Sequence, residues 1–122
     1  MKKKNTWVSI VPPLFNAGRI EFHTRRDTLI ANMRSTGAEC ANDFLEDCIG
    51  ACVFEELNHS GTMYVFVGDS KLTTLVHECF HAVTRYLAWI GVKLEHDAAN
   101  ETYAYLLEHL VGEFEPLLKR GK

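Results

Sequence analysis

Two histidines four residues apart, with a glutamate beside the first, are the residues here best placed to do chemistry. Thr74 to Val83 reads TLVHECFHAV, and inside it lies His77-Glu78-x-x-His81. On a helix, positions i and i+4 stand about 40° apart around the axis and one turn apart along it, so both imidazoles reach the same side. Neutral imidazoles are good ligands for a divalent ion such as zinc. Glu78 falls about 100° around from His77, beside such an ion, where a proton acceptor belongs. A third protein ligand is then required. Glu101, in Asn100-Glu101, follows His81 by 20 residues. Two histidines and a carboxylate, with a fourth position left for water, make a common catalytic zinc site. His96 and Asp97 are alternative third ligands, Asp97 being equally suited to cap the helix that follows.

These residues need two helices to hold them. From Ser70 the apolar spacing turns helical, with Leu72, Leu75, Val76, Cys79, Phe80, Val83, Tyr86, Leu87 and Ile90 on one broad stripe. That spacing predicts a helix over 71–90, ended by Gly91, with His77 and His81 nearly opposite the stripe. A second helix is predicted over 98–115, its stripe formed by Tyr103, Leu106, Leu107, Leu110, Val111 and Phe114. Glu101, Tyr105, Glu108 and Gly112 fall on its other side. An antiparallel pair can therefore set Glu101 against the histidines while burying both stripes elsewhere. Strands are expected near 6–11, 19–23, 51–57 and 62–68, the last two as a hairpin across Asn58-His59-Ser60-Gly61. TMYVFVG is apolar on both faces, so it must be covered on both sides or bind something extended. Thr24 and Asp27 have the spacing of a capping box for a short helix ending near Gly37. Residues 38–50 read as irregular. The fold class expected is α+β in a single domain, 1–122: a small antiparallel-rich sheet with helices on one face.

The motif pair resembles the gluzincin branch of the zincin metallopeptidases, the thermolysin-like clan, in which H-E-x-x-H is followed by a downstream N-E whose glutamate binds zinc. Over residues 62 to about 110 the resemblance implies that His77, His81 and Glu101 hold zinc and that Glu78 is the general base. The implied activity is hydrolysis of peptide bonds through a metal-activated water. The substrate is a protein or peptide pairing with an edge strand at 62–67. Tyr105 would donate to the developing oxyanion; Tyr103 points to the stripe and is structural. The family has an aspartate one turn after its ligand glutamate, orienting a metal histidine, where this chain has Tyr105; Glu108, a further turn along, would orient the histidine instead. The pattern TLVHECFHA…GV…NETYAYLLEHL also resembles small H-E-x-x-H proteins encoded by tailed bacteriophages. A non-catalytic binding or structural protein keeping a zinc-stabilised zincin core is the alternative reading.

Composition narrows the field. With 122 residues, 47% hydrophobic and 24% charged, the chain suits one globular core. A formal charge of −3 and a pI near 6.0 argue against nucleic acid as partner. No apolar run approaches the ~20 residues of a membrane span. The opening MKKKNTWVSIVPPLF has a basic start, but its apolar run is broken by Pro12-Pro13, so a cytoplasmic protein with reduced cysteines is expected. Cys40, Cys48 and Cys52 have no familiar zinc spacing; buried thiols are the simpler expectation.

Overall fold

The computed structural model describes residues 7–12, 18–35, 48–55, 62–93 and 100–120. Strands β1 (Trp7–Ile10), β2 (Arg19–His23), β3 (Gly50–Glu55) and β4 (Thr62–Val67) form one sheet in the order β1-β2-β4-β3. The helices among the described residues are α1 (Arg26–Ser35), α2 (Leu72–Trp89) and α3 (Asn100–Arg120). β1 pairs antiparallel with β2 and β3 with β4, whereas β2 and β4 run parallel, placing Ile20 opposite Met63 and Phe22 opposite Val65. This is a small α+β fold, as the alternation of short strands and amphipathic helices predicts. No described helix is long and apolar enough to cross a membrane.

β4 decides how the layers stack. All six of its residues are buried. Met63, Val65 and Val67 join Ile20, Phe22 and the apolar sides of α2 and α3, while Tyr64 and Phe66 join Leu29 and Met33 of α1. The helices therefore cover both faces of the sheet, not one as the sequence suggested. A strand apolar at both parities leaves no alternative once it lies inside a sheet. For the same reason 62–67 is not an edge. β4 is hydrogen-bonded on both sides, to β2 and β3, and the outer strands among the described residues are β1 and β3. The substrate-pairing role expected for 62–67 cannot lie there.

The two long helices are placed by separate devices. Asp69 organises the start of α2, accepting from the Lys71 amide at 3.1 Å and the Thr74 hydroxyl at 2.7 Å. At the other end Gly91, at φ +89°, takes the left-handed conformation, and two backbone bonds, Gly91 N–H to Ala88 O and Val92 N–H to Leu87 O, close a Schellman motif. The Tyr103 hydroxyl donates to Val92 O at 3.0 Å, fastening the start of α3 beside the end of α2. Further along, Phe114 stacks on Phe22 of β2 with ring centroids 4.7 Å apart. α3 runs on through Pro116 to Arg120, past the predicted end at 115. Proline ordinarily disfavours a helix interior. Here Leu117 and Leu118 beyond it are buried in the core, and that burial outweighs the lost backbone bond. The hairpin turn, residues 36–47, and both His96 and Asp97 lie outside the described residues.

Candidate metal centre

His77, Glu78 and His81 come together on α2. One ligand atom from each lies within 4.8 Å of the other two. The imidazole centroids are 4.9 Å apart with the ring planes at 78°. His77 is exposed and His81 half-buried, so their nitrogens are open to an ion, whereas Glu78 is 7% exposed. Among the described residues no hydrogen bond or ion pair engages its carboxylate. The group could hold a divalent metal ion: two imidazoles one helical turn apart are good donors, with the Glu78 carboxylate beside them.

The burial of Glu78 has two causes. α2 is rolled relative to its apolar pattern: Leu72, Val76 and Phe80, expected on the inner stripe, are 49%, 39% and 51% exposed, while Glu78 and Ala82 turn inward. The second cause is Gly50, at the start of β3. A Cβ built there would lie 2.8 Å from Glu78 Oε2 and 2.9 Å from Thr74 Cγ2. A side chain there would have to displace the carboxylate or the Thr74 methyl. A pocket of about 310 Å³ adjoins it, lined by Ile49, Gly50, Thr73, Thr74, His77 and Glu78. Arg85, two turns beyond Glu78, donates from Nη1 to Cys52 O at 2.6 Å and holds α2 to β3 on the same flank.

The candidate centre thus faces β3 and not α3. Glu101, Tyr105 and Glu108 stand exposed on α3, outside the His77-Glu78-His81 group and outside the lining of the pocket. Helix register accounts for this. The Tyr103–Val92 bond sets the first turn of α3 against the end of α2. His81 stands eight residues before Trp89, the last residue of α2, or about 12 Å at 1.5 Å per residue. Glu101, two residues before Tyr103, stands in the first turn of α3, which this bond sets beside the end of α2. Tyr103 is partly buried against the core, as its place on the stripe implied.

Among the described residues cysteine adds nothing to the ligand set. Cys48 packs on the α1 side of the sheet and Cys52 on the α2 side, so these two do not converge; Cys40 lies outside the described residues. Burial, above all, pushes the Cys52 and Cys79 thiols up to about 12. Neither offers a thiolate near neutral pH.

A polar cluster on the other face of the sheet escaped the sequence reading. His23 is fully buried, its Nε2 2.9 Å from Glu21 Oε1 and its Nδ1 2.9 Å from Thr28 Oγ1 of α1. Asn32 Nδ2 donates to the same Glu21 oxygen at 2.9 Å, and Trp7 stacks on the His23 ring with centroids 5.6 Å apart. The cluster fastens α1 to β2. The alternation of Glu21 and His23 along RIEFH signals a shared face, but nothing local reveals that α1 covers it. Burial pushes the Glu21 carboxyl up, and hydrogen bonds from His23 and Asn32 more than offset this, so that it lies below its usual 4.5. A carboxyl depressed in the folded state stabilises the fold above the pKa of the unfolded chain and loses that contribution as pH falls through the folded value. Glu21→Gln is therefore expected to lower stability near neutral pH and to flatten its decline below about pH 4.5, as read from urea midpoints across the acid range.

No family model, curated protein or solved structure matches this chain.

Proposed function

We propose that the chain is a zinc-dependent metallopeptidase, with His77 and His81 as metal ligands and Glu78 as general base. The observation that carries this reading is the state of Glu78: buried, free of hydrogen-bonding partners among the described residues, grouped with both imidazoles and forming part of a pocket wall. A carboxylate that merely solvates a helix surface has no need of a glycine opposite it. Zinc at this position supplies a Lewis acid that polarises a carbonyl and lowers the pKa of water. The His77 and His81 imidazoles would hold the ion, His77 from the wall of the pocket. Glu78 accepts the proton of the attacking water and delivers it to the leaving amine. Gly50, having no side chain, leaves the carboxylate room beside β3.

The substrate in this proposal is an extended peptide lying along β3. That strand has no partner on its outer side among the described residues, and it begins where Ile49 and Gly50 border the pocket. The proposal names two protein ligands and leaves the third open: Glu101, the ligand implied by the resemblance, stands outside the His77-Glu78-His81 group. Glu101→Ala is expected to bind zinc within about threefold of the parent in a competitive titration. A loss of tenfold or more would restore Glu101 to the ligand set. Nor does Tyr105 enter as oxyanion donor, at 66% exposure away from the pocket.

A second reading has its own support. With no carboxylate brought in from α3, Glu78 is itself the acid nearest the imidazoles and can serve as third ligand of a non-catalytic, metal-stabilised binding protein. Glu78→Gln separates the two. If the carboxylate is a base, zinc stays and hydrolysis goes; if it is a ligand, zinc affinity falls with it.

Gly50→Ala tests the positioning of Glu78 under either reading. The added methyl must displace the carboxylate or Thr74. Overpacking of this kind costs about 1–3 kcal/mol of stability, and the misplaced base is expected to lower kcat by roughly tenfold or more with KM little changed. Parental kcat and parental stability together would show that the contact is relieved freely.

A further inference from the structure

Resting on the hydrolase reading and its peptide along β3, we propose that Arg85 is a carboxylate-binding subsite that favours peptides carrying a carboxylate at the position facing Cys52. The outer side of β3 is where the reasoning starts. Gly68 N–H donates to Ile49 O at 2.8 Å, and the register sets Gly50 opposite Val67 and Cys52 opposite Val65. Ile49 and Gly68 are therefore a hydrogen-bonded pair of the antiparallel ladder, and bonded pairs alternate with unbonded ones. It follows that Ala51 directs its main-chain groups to β4, while Gly50 and Cys52 turn their N–H and C=O groups outward. A second observation agrees: Arg85 Nη1, coming from α2, donates to Cys52 O at 2.6 Å.

A peptide laid along that side meets two main-chain positions of different character. Gly50, beside Glu78, offers backbone groups alone. At Cys52, two residues and about 7 Å further along the strand, the carbonyl already accepts from Arg85, and the peptide meets a guanidinium there. One of its five N–H groups is used on Cys52 O; the others form a fork that matches the two oxygens of a carboxylate. The side chain is exposed, so a ligand reaches it without opening the core. Its charge is also unanswered. Among the described residues no carboxylate forms an ion pair with Arg85, and the residues one turn away on α2 are His81, Ala82, Ala88 and Trp89. From β3, the Cys52 thiol is kept protonated near neutral pH by burial and brings no negative charge. Glu78 lies two turns back, at the metal group. A basic side chain of the peptide would face like charge at Arg85, whereas a carboxylate completes a charge-assisted pair.

Binding tests this without any need for turnover. One set of blocked peptides differs only in a single glutamate, glutamine or lysine; a second set ends at that position in a free or an amidated carboxyl group. Both are titrated into the zinc-loaded Glu78→Gln protein, which binds without cutting, and into the zinc-free parent, where no ion competes for the carboxylate. The Gly50 and Cys52 amides and the Arg85 Nε–H signal are followed by NMR. A carboxylate peptide is expected to bind at least tenfold more tightly than its uncharged counterpart and to shift Arg85 Nε–H. Which set shows the gain tells whether a side chain or a chain end supplies the group. Arg85→Gln is expected to abolish the gain and Arg85→Glu to turn the preference to lysine. Arg85→Lys, which keeps the charge but loses the fork, is expected to retain part of it. Equal binding of charged and uncharged peptides to the parent would overturn the proposal, as would a gain that survives Arg85→Gln. Neither result touches the hydrolase reading, which stands or falls on zinc content and on the activity of the parent against Glu78→Gln.

Discussion

Glu78→Gln is expected to keep its zinc and to lose hydrolysis by roughly 100- to 10,000-fold, the usual contribution of a positioned general base. Glutamine has nearly the same shape, so the packing against Gly50 and Thr74 survives. What disappears is the ability to accept a proton. The side chain donates no hydrogen bond in the parent and accepts none among the described residues, so the substitution strands no partner and the fold is expected to be unaffected. The loss should therefore appear in kcat and kcat/KM alike, with the melting temperature unchanged. A fall in zinc affinity of tenfold or more in this variant would mark Glu78 as a ligand and turn the account towards the metal-stabilised binding protein.

The second large effect belongs to the histidines. His81→Ala and His77→Ala are each expected to weaken zinc binding by more than about 100-fold, beyond the 10- to 100-fold typical of losing a group that only orients a ligand. Neither imidazole lies in the core: His77 is exposed and His81 half-buried. The zinc-free variants should therefore melt within a few degrees of the zinc-free parent. Added zinc should raise the melting temperature of the parent and not of the variants, since only a protein that binds the ion in its native state gains stability from it. If the histidine variants lost stability without zinc, or gained it equally with zinc, the imidazoles would be structural and the ion would be held elsewhere.

What the sequence made legible, and what it did not, follows the range of the interactions concerned. The histidine pair is a property of one helical turn, so its spacing alone placed both imidazoles on one side of α2. Gly91 ended that helix as expected, because a left-handed residue is a local need that glycine meets best. The double-sided apolarity of TMYVFV called for a strand covered on both faces or bound to something extended, and β4 is covered on both. Its position inside the sheet, by contrast, depends on a parallel pairing with β2 across some forty residues, which no local pattern encodes. The site residues fared in the same way. Helical phase put Glu101 on the open side of α3, correctly, yet phase says nothing about how far along α2 that side falls; the Tyr103–Val92 bond decides it. Gly50 was passed over as part of an irregular stretch, because a glycine opposite a glutamate becomes meaningful only when β3 is laid against α2. His23 stayed hidden for a like reason, its partner Thr28, and the Asn32 that donates to Glu21 beside it, coming from α1 across the sheet face.

The account depends on one ion held on the β3 flank of α2, and anomalous diffraction at the zinc edge from zinc-soaked crystals tests it most directly. The expected result is a single strong peak about 2.0–2.1 Å from one nitrogen each of His77 and His81, the usual zinc–imidazole distance, with the Glu78 carboxylate beside it and Glu101 apart from it. No peak between the two imidazoles at saturating zinc, or a peak bound by residues other than these, would contradict the assignment of the centre and with it the proposed chemistry.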